Sequence, residues 1–146
     1  MPAISVVIPS HNRRDLLREV LDALVAQTGN VPAFEVIIVA DGCADDTEAD
    51  ISAYIAPFPL TVLSLPGLGP SHARNAGAMV ARADILLFLD DDVIPTEGLV
   101  AAHWAAHQEL PGRAVLGPYP PEPVSAHGAF RLGAKRWWQA HFDELA

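Results

Sequence analysis

Four short apolar runs, each closed by a polar loop, set the rhythm of the chain. AISVVI (3–8) is rich in β-branched residues and ends at Pro9; EVIIVA (35–40), LTVLSL (60–65) and DILLFL (84–89) repeat the pattern. Their apolarity is continuous rather than alternating, as in strands covered on both faces of a parallel sheet. Between the runs the period changes. Leu16, Leu17, Val20, Leu21, Leu24 and Val25 recur at helical spacing, which predicts a helix over about 13–27 with Asn12 as its cap. Residues 47–56 predict a short helix stopped by Pro57, with Asp45 and Asp46 as its expected caps, and SHARNAGAMVAR (71–82) predicts a helix of small residues. A helix over 97–110, capped by Thr96, would carry Leu99, Val100, His103, Trp104, His107 and Leu110 on one side, and AVLG (114–117) would add a fifth strand. Strand and helix alternate throughout, which makes the fold class α/β: a mostly parallel sheet flanked by helices.

Composition narrows the function classes. The chain has 146 residues, 51% of them hydrophobic, enough for one domain with a sizeable core. Its net charge of −9 disfavours nucleic acid, whose binding needs a Lys/Arg footprint. The longest apolar runs are far shorter than the roughly 20 residues a membrane-spanning helix requires. The N-terminus lacks the basic and small-residue features of a signal peptide. Cys43 is the only cysteine, which excludes an internal disulfide and suits a reducing, cytoplasmic setting. The character shifts after residue 117. Four prolines in 118–123 form a stiff linker, followed by Phe130, Ala134, Trp137, Trp138, His141 and Phe142 with Arg131, Lys135 and Arg136 among them. We therefore expect an α/β domain over 1–117 and a separate linker and aromatic segment over 118–146. Residues 127–146 have the Trp, Lys and Arg content of a peripheral membrane contact.

The chemistry is expected beyond the carboxyl ends of the strands, where open parallel sheets bind ligands. PSHNRR, DGCADD, GLGPSHARN and DDD follow the four strands in turn. The last is the most telling: Asp90, Asp91 and Asp92 repel one another, and no basic residue lies nearby in sequence. A divalent cation would relieve that repulsion, since Mg²⁺ and Mn²⁺ take one or two carboxylates together with phosphate oxygens and water. In an extended segment Asp90 and Asp92 point the same way and form the metal pair, with Asp91 turned elsewhere. Asp41, ending the second strand, suits a ribose hydroxyl or a base N–H. The glycine fingerprint of dinucleotide folds is absent, which argues against a nicotinamide dehydrogenase. Arg74, in the first turn of its helix, suits either a diphosphate or a surface ion pair. His103 and His107 have metal-pair spacing but lie on an apolar face without the glutamate of H-E-x-x-H, so core or interface positions are expected. Cys43 is assigned no role.

Together these pieces resemble glycosyltransferase family 2, the inverting enzymes of the Rossmann-like GT-A fold. SVVIPSHNR is similar to the family's first-strand signature ending Pro-Thr-Tyr-Asn, and IIVADGCADDT to Val-Asp-Asp-Gly-Ser-x-Asp-x-Thr. GPSHARNAG is close to Gly-x-x-x-Ala-Arg-Asn-x-Gly, and LLFLDDDVIP matches the Asp-x-Asp segment. The resemblance implies a nucleotide-diphosphate-sugar donor of UDP or GDP type and a Mn²⁺ or Mg²⁺ ion. Pro9, Ser10, His11 and Asp41 would hold base and ribose, Arg74 would lie near the nucleotide, and Asp90 and Asp91 would engage the ribose–diphosphate. Asp90 and Asp92 would hold the ion. His11 replaces the usual tyrosine, and Ala40 and Cys43 replace Asp and Ser. The family's general base, an aspartate well beyond Asp-x-Asp, has no counterpart among Glu97, Glu109, Glu122, Asp143 and Glu144, so no catalytic residue is assigned. The chain is expected to be truncated, as the donor-binding portion of a longer enzyme or a natural short relative. It would act in the cytoplasm or at the inner face of the membrane, on an acceptor not identified by the sequence, lipid-linked and polysaccharide acceptors being the candidates. Two other readings compete: a non-catalytic nucleotide-sugar-binding fragment, and a haloacid-dehalogenase-like phosphatase with Asp90 as nucleophile and Asp92 as acid/base.

Overall fold

The computed structural model describes residues 1–109 and 111–117. Residues Met1–Arg113 form a compact unit. Its elements alternate along the chain: β1 (Ile4–Ser10), α1 (Arg14–Val25), β2 (Phe34–Asp41), α2 (Thr47–Ser52), β3 (Leu60–Leu65), α3 (Pro70–Val80), β4 (Ile85–Phe88) and α4 (Leu99–Glu109). All strand pairs are parallel, and the sheet order is β3-β2-β1-β4. The chain thus builds outward from β1 to β3 and then returns to the other side of β1. That reversal opens a crevice at the carboxyl ends of β1 and β4, the topological switch point where ligands bind in such sheets.

The continuous apolarity of β1 and β2 is explained by helices on both faces. Ile4, Val6, Ile8, Val36 and Ile38 join Leu17, Val20, Leu21 and Leu24 of α1 and Val100 of α4 in one buried cluster. Val7, Ile37 and Val39 face Ala73 of α3 on the other side. α3 lies close because Gly77 has no side chain: a Cβ there would meet Val7 Cγ1 at 2.4 Å and Val39 Cγ2 at 3.3 Å. The small residues of α3 are therefore a packing requirement of this layer.

Several expectations change. β4 is not buried on both faces: Leu87 is covered, but Leu86 and Phe88 are 36% and 46% exposed, because β4 is an edge strand and α3 lies over β1 and β2. The apolar stripe of α1 is narrower than its sequence spacing, with Leu16 and Val25 exposed. Asn12 does not cap α1. It has a left-handed backbone (φ 54°), Arg13 takes the cap position, and the Asn12 Oδ1 instead accepts from the amides of Ala44 (2.7 Å) and Asp45 (3.2 Å). The cap position of α2 falls on Asp46, whose side chain makes no cap hydrogen bond, while Asp45, one residue earlier, accepts from the Thr47 amide at Oδ1 (3.1 Å). At α4 the expected Thr96 hydroxyl cap is replaced by Gln27, whose side chain accepts from the Val100 amide (3.0 Å) and donates to the Thr96 carbonyl (2.7 Å). His103 is buried as expected, while Leu110 lies outside the described residues. The fifth strand expected over 114–117 does not form.

Candidate functional site

A cavity of about 520 Å³ opens at the switch point. That is within the roughly 300–1,000 Å³ typical of small-molecule sites. Pro9, Ser10, His11 and Arg13 line it from the end of β1, Asp41 from the end of β2, and Gly67, Gly69, Pro70, Ala73 and Arg74 from the β3–α3 loop and α3. Asp90, Asp91 and Asp92 close it from the end of β4. Every binding and metal residue expected from the sequence therefore reaches one cavity, although the four loops come from points scattered over 80 residues of chain.

The wall at β1 and β2 is fastened by hydrogen bonds. Asp41 is buried, and its Oδ1 accepts from the amides of Gly67 (2.9 Å) and Leu68 (2.7 Å) while Oδ2 accepts from Gly69 (2.6 Å). Burial by itself would raise the carboxyl pKa; the amides of Leu68, Gly69 and Gly67, with His11, outweigh it and hold the value below the usual range. The loop can take this shape because Gly67 and Gly69 have φ of 87° and 91°. Gly42 is equally constrained, since a Cβ there would lie 2.8 Å from the Gly67 Cα. His11 Nδ1 donates to the Asp41 carbonyl at 2.6 Å, which leaves Nε2 to accept from Asn12 Nδ2 at 3.1 Å. Ser10 Oγ is buried with no hydrogen-bond partner among the described residues.

The opposite wall carries the charge. Residues 90–93 do not continue β4 but turn, the Val93 amide donating to the Asp90 carbonyl at 3.2 Å. The alternation expected of an extended Asp90-Asp91-Asp92 segment therefore does not apply, and all three side chains line the cavity. Arg13 Nη1 donates to Asp91 Oδ1 (3.0 Å) and Asp92 Oδ2 (2.5 Å), and Arg74 Nη2 pairs with Asp90 Oδ1. The carboxylates are thus offset by two arginines distant in sequence. Arg74 was singled out from the sequence, with its role left open; Arg13 was not. The available signal was a pair of basic residues directly after the first strand's loop, in HNRR.

The sequence matches the family described as "Glycosyl transferase family 2" over residues 5–142. The chain belongs to this family. It is 37% identical over 120 residues to a validoxylamine A glucosyltransferase of Streptomyces hygroscopicus subsp. jinggangensis, a match covering 80% of this chain and 28% of that protein. Among solved structures it is similar to Staphylococcus aureus TarS 1–349 in complex with UDP: TM-score 0.66, 26% identity, covering 82% of this chain and 39% of the other. It is also similar to the Pyrobaculum calidifontis mannosyltransferase PcManGT in complex with GDP-Man and Mn²⁺: TM-score 0.63, 27% identity, covering 72% and 32%. The chain spans little over a quarter of the curated relative's length. Its four-stranded parallel sheet is the GT-A, Rossmann-like architecture expected of the family.

Membership in family 2 removes the ground for the phosphatase reading. It also raises the question of whether these residues suit a divalent ion. No group of three or more His, Cys, Asp or Glu among the described residues could enclose one. Asp90 and Asp92 are exposed, oxygen-donating and open to the cavity. Two carboxylates with room for phosphate oxygens and water are the donor set of Mg²⁺ or Mn²⁺, so the residues fit the ion in company with a diphosphate. Of the downstream acids, Glu97 and Glu109 do not line the cavity; Glu122, Asp143 and Glu144 lie outside the described residues, as do the linker and aromatic segment of 118–146. His103 and His107 are not part of the site: both are on α4, and His103 is buried beneath it.

Proposed function

We propose that the cavity is the donor site of a metal-dependent, inverting glycosyl transfer in which an acceptor hydroxyl displaces a nucleoside diphosphate from the anomeric carbon of its sugar. The observation that carries this is the meeting, at one switch point, of three carboxylates, two arginines and an amide-fastened loop in a family 2 chain. Pro9, Ser10, His11 and Asp41 form the base and ribose wall, with the unpartnered Ser10 hydroxyl beside it. Arg74, at the start of α3, faces the diphosphate, and Asp90 and Asp91 engage the ribose–diphosphate. Asp90 and Asp92 hold Mn²⁺ or Mg²⁺, which supplies neutralisation of the charge left on the departing diphosphate. UDP or GDP is the expected nucleotide type, in keeping with the ligands of the two similar structures.

No described acid downstream of the aspartate triplet lines the cavity, where the general base of an inverting transfer would be needed. This supports a second reading for the isolated chain: it binds donor but turns over poorly. No helix among the described residues is long and apolar enough to cross a membrane. A cytoplasmic site of action at the inner membrane face, a lipid-linked or polysaccharide acceptor, and membrane contact through 127–146 complete the proposal.

Calorimetric titration of UDP, GDP and their sugar conjugates, with and without Mn²⁺, tests it. The expected result is Mn²⁺-dependent binding of one nucleotide type, weakened at least roughly tenfold, or about 1.4 kcal/mol, by Asp92→Ala. Absence of binding to every nucleotide, with the chain folded, would refute the donor site. Sustained sugar transfer by the isolated chain would refute the second reading.

A further inference from the structure

Arg13 bridges two of the three carboxylates at the end of β4. Its Nη1 lies 3.0 Å from Asp91 Oδ1 and 2.5 Å from Asp92 Oδ2, so one positively charged nitrogen spans two carboxylates from adjacent residues. Arg74, on α3, takes Asp90. The three acids are therefore each paired before any ligand arrives. The two Arg13 contacts are unequal in setting: Asp91 is buried, whereas Asp92 and Arg13 are exposed to solvent. Asp92 is the contact that can open with little rearrangement, since both it and Arg13 are exposed and it lines the cavity.

We propose that Arg13 is the resident counter-cation of Asp91 and Asp92, and that it must release Asp92 before a divalent ion can take it. This rests on the donor-site reading above. A divalent ion arriving alone must displace the guanidinium and then sit beside a like charge that has lost a partner. Arriving with a diphosphate diester, the ion brings two negative charges for its two positive ones. The freed guanidinium, already on the cavity wall, then finds phosphate oxygens to pair with. Arg13 thereby keeps the ion weak by itself and makes its binding depend on the nucleotide. By linkage the nucleotide depends on the ion to the same degree. The site would then fill with ion and donor together and not be held by ion alone.

The test is Mn²⁺ binding by the 146-residue chain without nucleotide, read from the electron paramagnetic resonance of free Mn²⁺. Because half-exposed ion pairs are modest, Arg13→Gln is expected to bind Mn²⁺ alone roughly fivefold more tightly than wild type. Arg13→Lys, which keeps the charge, should stay near wild type. Arg13→Met carries the same expectation as Arg13→Gln, should the glutamine variant fail to fold by circular dichroism. Saturating UDP or GDP should tighten Mn²⁺ by a smaller factor in the glutamine variant than in wild type. Mn²⁺ binding alone that is unchanged or weaker in Arg13→Gln, or undetectable in every protein, overturns the exchange. The donor reading fails separately. A chain that binds no nucleotide, yet gains Mn²⁺ affinity on losing Arg13, keeps the exchange and loses the donor site. Mn²⁺-dependent nucleotide binding with no change in Mn²⁺ affinity alone does the reverse.

Discussion

Asp41→Asn tests what fastens the cavity together. The substitution keeps size and shape but replaces a charged double acceptor with one acceptor and one donor. In its better orientation the amide oxygen keeps the Gly67 and Leu68 amides and turns its NH₂ toward the Gly69 N–H, which now faces another donor. In the other orientation two of the three contacts are lost. Hydrogen bonds to a charged group contribute about 1.5–3 kcal/mol and neutral ones about 0.5–1.5 kcal/mol. Two downgraded bonds and one lost bond, partly offset because a neutral side chain is easier to bury, give a net cost of about 3 kcal/mol. For a chain of this size that lowers the melting temperature by about 10 °C.

Urea and thermal unfolding followed by circular dichroism measure the cost, and acid dependence checks its origin. The Asp41 carboxyl has a folded-state pKa held below its usual value, chiefly by the loop amides working against burial. Its stabilisation is therefore complete above the ordinary aspartate range and is lost as pH falls through the folded-state value. The stability gap between wild type and Asp41→Asn should be full at neutral pH and close in acid. Hydrogen exchange at residues 67–69 should accelerate in the variant. A variant within about 0.5 kcal/mol of wild type at pH 7, with unchanged exchange in the loop, would refute the claim that Asp41 holds it.

Two further predictions concern parts of the fold away from the cavity. Glu35 is buried at the start of β2 and accepts from Ser5 Oγ (2.7 Å), the Arg82 amide (2.8 Å) and the Arg82 guanidinium (2.6 and 2.8 Å). Glu35→Gln should cost about 2 kcal/mol in urea unfolding while leaving nucleotide affinity unchanged, since β2 carries it at the end opposite the site; an equal loss of affinity would contradict this. His103 has its pKa lowered by burial and then by His107, so the unfolded chain takes up the proton more readily. Stability should fall as pH drops below about 6.5, and His103→Gln should flatten that dependence between pH 7.5 and 5.5. An undiminished slope would assign it to another group.

The sheet was legible because β1 and β2 are apolar without interruption, and only strands covered on both faces need that. The same reasoning overreached at β4. DILLFL is as apolar as its neighbours, but apolarity records that a face is adhesive, not that something in the described chain covers it; Leu86 and Phe88 stay open. At the site, each loop announced itself through its residue types, and the strand-end rule brought them together. What sequence could not supply was partnership between loops. Asn12 looks like a cap because it precedes an apolar period, yet its left-handed backbone sends Oδ1 to Ala44 and Asp45. The triplet seemed uncompensated because Arg13 and Arg74 are 78 and 16 residues from their aspartate partners. Long-range ion pairs leave no local period to read.

The departures from the family's usual residues fall at the ends of β1 and β2, where His11 lines the cavity and Ala40 and Cys43 do not, and the structure gives most of them scaffold duties. Cys43, where the family has serine, donates its thiol to the Ser10 carbonyl at 3.6 Å and accepts from the Asn12 amide at 3.4 Å, so it ties the two loops as a hydroxyl would. Ala40, where the family has aspartate, is buried in register with Ser10 of β1, and here a carboxylate would have to be desolvated. His11, where the family has tyrosine, has both ring nitrogens engaged, by the Asp41 carbonyl and by Asn12. The opposite wall, with Arg74 and the aspartate triplet, keeps the family's residue types. On the proposed reading the diphosphate chemistry is thus retained, while the wall that meets the base is rebuilt from smaller and differently hydrogen-bonding groups. Selectivity for the base, rather than the manner of holding the diphosphate, is where this chain should differ most from relatives that keep the tyrosine and the paired aspartates. His11→Tyr should shift the ratio of UDP to GDP affinity, measured by calorimetry in Mn²⁺, more than it changes the metal dependence of either. A variant whose metal dependence moves while that ratio does not would place His11 on the diphosphate side and overturn the division of the cavity into two walls.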